Sequence, residues 1–199
     1  MVFTPVVSAS LSSPLMASTT CRLRRTHEQG NFNCVAPNQV WTGDITYIAT
    51  EEGWFYLATV LDLHSRQVVG FSMLDHMRTS LVTDALRMAW FRRKPAKDSG
   101  LIFHSDRGSH YCSDAYQAER AGFGIKSSMS RKGDCWELAL SRHLSEAQRS
   151  HNAPTESLWG RLKVGSLYGK RFTTRRAAMD EMIDWLMFDN HSRLHSSLG

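Results

Sequence analysis

Long apolar stretches are missing from this 199-residue chain. No window reaches the roughly 18 consecutive apolar residues of a membrane-spanning helix, which excludes such a span. Cysteine is sparse. None of Cys21, Cys34, Cys112 and Cys135 forms a C-x-x-C pair, which argues against a zinc ribbon or a thioredoxin-like site. Cys21, His27 and Cys34 lie near one another, but their spacing fits no common zinc pattern. All four are read as reduced thiols of a cytosolic protein. No G-x-S-x-G elbow is present, so a Ser-His-Asp hydrolase is not supported. There is no P-loop, so nucleotide hydrolysis is not expected. The opening MVFTPVVSASLSSPLMASTT carries no charge and lacks the basic start of a secretory signal. Its serines and the following CRLRR faintly resemble an organelle transit peptide, but residues 1–36 are expected to be a disordered tail or a remnant segment.

What is present describes a globular chain. Hydrophobic residues make up 42% and charged residues 22%, enough for one domain with a core. The net charge of +5 is unevenly placed: residues 126–176 hold 11 Lys/Arg against 4 Asp/Glu. A local excess of that kind suits a phosphate-facing surface. From Val40 the texture becomes that of a folded domain. DITYIAT (44–50), WFYLATVLD (54–62) and QVVGFSML (67–74) read as strands joined by turns at EEG (51–53) and HSR (64–66). TSLVTDALRMAWFRRK (79–94) has helical spacing with Leu81, Val82, Ala85, Leu86, Ala89 and Trp90 on one face, and Pro95 ends it. GLIFH (100–104) and FGIKSS (123–128) read as strands around a helix at 113–122, capped by Ser113 and stopped by Gly122. Residues 155–164 and 173–189 read as helices. This order predicts an α/β fold, a mixed sheet with helices on both faces.

Three acids stand out. Asp44 lies near the start of the first strand in W-T-G-D-I-T. Asp106 follows the fourth strand in H-S-D-R-G, where an acid projects into the crevice at which open sheets bind ligands. Glu156, in N-A-P-T-E-S-L-W-G-R-L-K, sits in the first turn of a helix that Asn152 or Thr155 can cap. Glu156, Gly160 and Lys163 share a face of that helix. A lone strand-end Asp is more often a turn residue, and a Glu early in a helix is often merely dipole-compatible. Three carboxylates brought together without metal would repel one another. Magnesium wants oxygen ligands, and two ions about 4 Å apart can activate a water or 3′-hydroxyl and stabilise the leaving oxygen.

With these residues in view, the chain resembles the catalytic subunit of bacterial insertion-sequence transposases, members of the retroviral-integrase-like Asp-Asp-Glu superfamily. The resemblance runs from about Pro37 to Gly199. It rests on APNQVWTGDITYI, EGWFYLATVLDLHSRQVVGF, GLIFHSDRGSHYCS, GIKSSMSRKGDCW, NAPTESLWGRLK and NHSRLHSSLG. It implies a ribonuclease-H-like fold, with three antiparallel strands followed by parallel ones. It implies Asp44, Asp106 and Glu156 as catalytic residues and ligands of two Mg²⁺ or Mn²⁺ ions. The implied activity is DNA strand cleavage at transposon ends and strand transfer to a target. The implied partners are DNA, further copies of the chain on that DNA and a separate helix-turn-helix subunit. The implied setting is the bacterial cytoplasm, at the nucleoid.

The sequence departs from the family pattern in three places. Residues 107–155 separate Asp106 from Glu156, a longer interval than the family has, and 137–151 are the surplus. Glu137 and Glu146 are therefore rival third acids, with Glu156 preferred for its N-A-P-T-E-S frame. The segment before Pro37 is too short for the family's helix-turn-helix region, and the chain stops where the family continues. A catalytically inactive remnant that only binds DNA or an intact transposase is thus the alternative expectation, and a stand-alone ribonuclease a third. Lys126, Arg131, Lys132, Arg161 and Lys163 are the candidate DNA-backbone contacts. Trp41 and Trp54 are read as core packing ahead of base stacking. Asp62 is read as a turn residue, and His104 as either orienting the site or a buried, satisfied histidine.

Overall fold

The computed structural model describes residues 34–97, 99–106, 108–129 and 153–192. Strands β1 (Val40–Thr50), β2 (Gly53–Asp62) and β3 (Val68–Leu74) form an antiparallel meander. Helix α1 (Thr79–Arg93) crosses to β4 (Ile102–Ser105), which pairs parallel to β1. Helix α2 (Asp114–Gly122) leads to β5 (Lys126–Met129), parallel to β4. The sheet has five strands in the order β3-β2-β1-β4-β5. Helix α3 (Ala153–Leu162) runs into a π-helical turn, Lys163–Leu167, and α4 (Arg175–Ser192) follows.

Alternation along β2 builds two cores. Ala58 and Val60 point to one face, where Leu81, Val82, Ala85, Leu86 and Ala89 of α1 and Tyr116 of α2 cover them. Phe55 and Leu57 point to the other, under Leu158 and Leu162 of α3 and Met182, Trp185 and Leu186 of α4. The expected mixed sheet with helices on both faces is what forms.

The β1–β2 turn is tight: Thr50 pairs with Gly53, and Gly53 takes φ +106°, a conformation L side chains avoid. On β3, a Cβ at Gly70 would lie 2.3 Å from the Ala85 carbonyl oxygen and 2.6 Å from the Ala89 nitrogen. Both are backbone atoms of α1 and cannot swing aside. Gly70→Val is therefore expected to push α1 off the sheet and cost about 1–3 kcal/mol or more, read as a lowered thermal midpoint.

The structure shifts several boundaries. β1 begins at Val40, so Asp44 is mid-strand. Its first residues, Val40 to Gly43, are all buried and show no alternation for the sequence pattern to catch. β4 and β5 start later than expected. Gly124, at φ +72°, turns the chain out of α2, and Phe123 stacks on Trp90 with ring centroids 4.8 Å apart. α3 starts at Ala153, so Thr155 lies inside the helix, fully buried, and does not cap it. Trp41 is core, but Trp54 is 53% exposed, edge-on to exposed Tyr47 at 5.1 Å. Residues 1–33 and 130–152, with the expected tail, Asn152, Arg131, Lys132, Glu137, Glu146 and the surplus 137–151, lie outside the described residues. No described helix is long and apolar enough to cross a membrane.

Candidate active site

Asp44 faces the α3 side of the sheet, directly opposite Thr59 of β2. Both of its oxygens are held. Oδ1 accepts from the Ile45 N–H at 2.8 Å, and Oδ2 accepts from the indole Nε1–H of Trp159 on α3 at 2.8 Å. Asp106 lies one residue past β4, with Oδ1 accepting from the Gly108 N–H at 2.9 Å in a tight turn. Glu156 is exposed on α3, one turn before Trp159.

The electrostatics link the three acids. Burial pushes the Asp44 carboxyl up from 3.8 to about 6. The hydrogen bonds from Trp159 and Ile45 oppose that rise, and the negative charges of Asp106 and Glu156 add to it. Tyr111, fully buried against Phe103 and Tyr116, has its phenol driven well above 10. Burial is the main cause, with Tyr116, Asp44 and Asp106 contributing. A Cβ at Gly43 would fall 2.4 Å from the Phe103 ring, so the glycine lets that ring pack under the strand that carries Asp44.

Among the described residues, no three His, Cys, Asp or Glu side chains gather closely enough to hold a metal ion, so Asp44, Asp106 and Glu156 do not form a ready-made ligand cluster. Magnesium does not require one, because it keeps several waters and takes one or two carboxylates. The surroundings suit a hydrated ion. The buried hydroxyls of Thr42, Thr59 and Thr155 find no hydrogen-bond partner among the described residues. Thr59 lies opposite Asp44, Thr42 is two residues before it on the same face, and Thr155 is one helical turn before Trp159. Buried hydroxyls of this kind are normally satisfied by ordered water.

The remaining candidates separate. Glu156, Gly160 and Lys163 are all exposed, as their spacing predicts for one helix face. Lys126 is exposed at the start of β5. Arg161 is committed elsewhere: its guanidinium forms a two-pronged pair with Asp189 of α4, at 3.2 and 3.1 Å, and reaches Ser157 at 2.9 Å. Asp62 is buried but structural. It accepts from the N–H groups of Asn38 and His64 and from the Ser65 hydroxyl, closing the β2–β3 turn. His104 is buried beside the Ser128 hydroxyl at 3.1 Å. Trp159 and the threonine hydroxyls are the site components that residue patterns did not single out. The only sequence signal for Trp159 is its i+3 spacing from Glu156.

The five-stranded mixed sheet flanked by helices is a ribonuclease-H-like fold, with Asp44 mid-strand on β1, Asp106 just past β4 and Glu156 on α3. Residues 35–135 match the integrase core domain, and the chain belongs to that family. It is 42% identical over 169 residues to a 31 kDa protein of insertion element IS600 from Shigella sonnei, covering 84% of this chain and 56% of that protein. It is 41% identical over 170 residues to the transposase InsF of insertion sequence IS3A from Escherichia coli K12, covering 85% of this chain and 54% of that protein. The chain thus spans little more than half the length of these relatives. Among solved structures, the dimeric HTLV-2 integrase catalytic core domain in complex with magnesium superposes with a TM-score of 0.53 at 15% identity. That match covers 82% of this chain and 93% of that one, and it bears on the fold alone.

Proposed function

We propose that the chain is the catalytic core of a metal-dependent polynucleotidyl transferase of the transposase type, with Asp44, Asp106 and Glu156 as its metal ligands and catalytic residues. The observation that carries this reading is Asp44 itself, a half-buried carboxylate in the middle of β1 that accepts a hydrogen bond from Trp159 on the helix carrying Glu156. Two Mg²⁺ or Mn²⁺ ions held there would lower the pKa of a bound water or hydroxyl and neutralise charge on the leaving oxygen. The three carboxylates would hold the ions, and their charge would then be balanced against the scissile phosphate. Water would attack phosphorus and the P–O3′ bond would break, leaving a 3′-hydroxyl and a 5′-phosphate. That 3′-hydroxyl would then lose its proton to solvent and attack a target phosphodiester, and the target's P–O3′ bond would break, its 3′-oxygen leaving and taking up a proton from solvent.

Lys126, Lys163 and the adjoining Arg131 and Lys132 would hold the DNA backbone. The ion pair with Asp189 gives Arg161 an anchoring role within the chain. Transposon ends and target DNA are the proposed substrates. Further copies of the chain and a separate helix-turn-helix subunit are the proposed partners, in a bacterial cytoplasm. The extra residues 137–151, just ahead of Glu156 in the sequence, favour the second reading, a DNA-binding remnant without chemistry.

Nicking of supercoiled plasmid DNA with Mg²⁺ or Mn²⁺ separates the two. The enzyme reading expects divalent-dependent nicking that Asp106→Asn and Glu156→Gln both abolish. Full nicking by Asp106→Asn contradicts it, and salt-sensitive DNA binding with no metal-dependent nicking supports the remnant.

A further inference from the structure

We propose that Trp159 is a positioning residue: its indole N–H fixes the Asp44 carboxylate and ties it to the helix carrying Glu156, so that both acids meet a divalent ion in register. The inference rests on Asp44 and Glu156 being ligands.

Trp159 is 7% exposed and packed in the core under α3 and α4. A buried indole N–H needs an acceptor. The one it finds is Asp44 Oδ2 at 2.8 Å, a side chain 115 residues earlier in the chain. Oδ1 is held by the Ile45 N–H. With one N–H on each oxygen the carboxylate plane cannot rotate, yet each oxygen keeps a lone pair for an ion. Glu156 precedes the donor by three residues on the same helix, so helix and carboxylate move together. The Trp159–Asp44 bond therefore constrains the approach of two acids that neither local sequence nor the β1–β2 pairing brings together. Partners that orient a metal ligand in this way typically govern metal affinity by 10- to 100-fold.

Trp159→Phe keeps aromatic packing and removes the donor. With folding checked by circular dichroism, Mn²⁺ binding measured by calorimetry is expected to weaken about 10- to 100-fold. The Mn²⁺ concentration for half-maximal plasmid nicking should rise in parallel, and the rate at saturating Mn²⁺ should change less. An ¹⁵N-labelled sample gives an independent readout. Of the six tryptophan indole N–H signals, that of Trp159, assigned from wild-type triple-resonance spectra, should shift on Mg²⁺ titration and in Asp44→Asn. Wild-type Mn²⁺ affinity in a folded Trp159→Phe overturns the proposal. So does a Trp159 signal indifferent to Mg²⁺, which decides the matter if the variant does not fold. If Asp106→Asn still nicks DNA, the transferase reading fails. If Asp106→Asn is inactive but Trp159→Phe binds Mn²⁺ normally, only the positioning role falls.

Discussion

Asp44→Asn is expected to make the metal-free protein more stable near neutral pH while abolishing divalent-dependent cleavage. The Asp44 carboxyl is raised from 3.8 to about 6 in the folded chain, chiefly by burial. Between those values the native state binds a proton that the unfolded chain releases. The stability linked to Asp44 is thus greatest at acid pH and is lost as pH rises through about 6. Above that, the folded protein must hold a half-buried charge that Asp106 and Glu156 further disfavour. At about 1.4 kcal/mol per pK unit, the cost is on the order of 3 kcal/mol. Asparagine keeps an oxygen to accept from Trp159 and carries no charge. The variant's thermal midpoint should exceed wild type by on the order of 5–10 °C near pH 8, with the gap closing toward about pH 4. Mg²⁺ should stabilise the wild type and not the variant. A midpoint equal to wild type at both pH values would show that Asp44 bears no such strain.

Arg161→Met should destabilise the fold without altering the salt dependence of DNA binding. The Asp189 carboxylate is 2% exposed and the Arg161 side chain 23%, with donor–acceptor distances of 3.1 and 3.2 Å. Removing the cation takes both of these charge-assisted hydrogen bonds from a buried carboxylate, and breaking a buried pair typically costs about 3–5 kcal/mol. The pair joins α3 to α4, so its loss also loosens the helix that presents Glu156. The double variant Arg161→Met/Asp189→Leu should recover much of the lost stability. Lys163→Ala is the contrasting case: exposed, it should leave the thermal midpoint within about 0.5 kcal/mol of wild type and lower the salt slope of DNA binding by roughly one. A stable Arg161→Met with a reduced salt slope would place Arg161 on the DNA instead.

Local periodicity made much of the fold legible. The strands of the meander are rich in β-branched and aromatic residues, α1 carries an apolar face from Leu81 to Ala89, and Ser113 caps α2 as its side chain suggests, accepting from the Tyr116 N–H. Pattern fails where burial is two-sided or departs from residue type. Val40 to Gly43 are strand without alternation. Trp54 looks like core but is exposed, packed edge-on against Tyr47. Thr155 looks like a cap but is packed inside α3. That Asp44 lies on a strand, Asp106 just past one and Glu156 early in a helix was legible from the short frames around them, because each frame encodes a local geometry. What surrounds them was not, because Trp159 reaches Asp44, and Arg161 reaches Asp189, only after distant elements have packed.

Calorimetric titration of Mn²⁺ into the wild-type chain, Asp44→Asn and Glu156→Gln tests the metal site most directly. Saturable binding in the wild type, lost in both variants, is the expected result. Undiminished binding in both variants, or none in the wild type, would contradict a divalent-ion site built from these carboxylates.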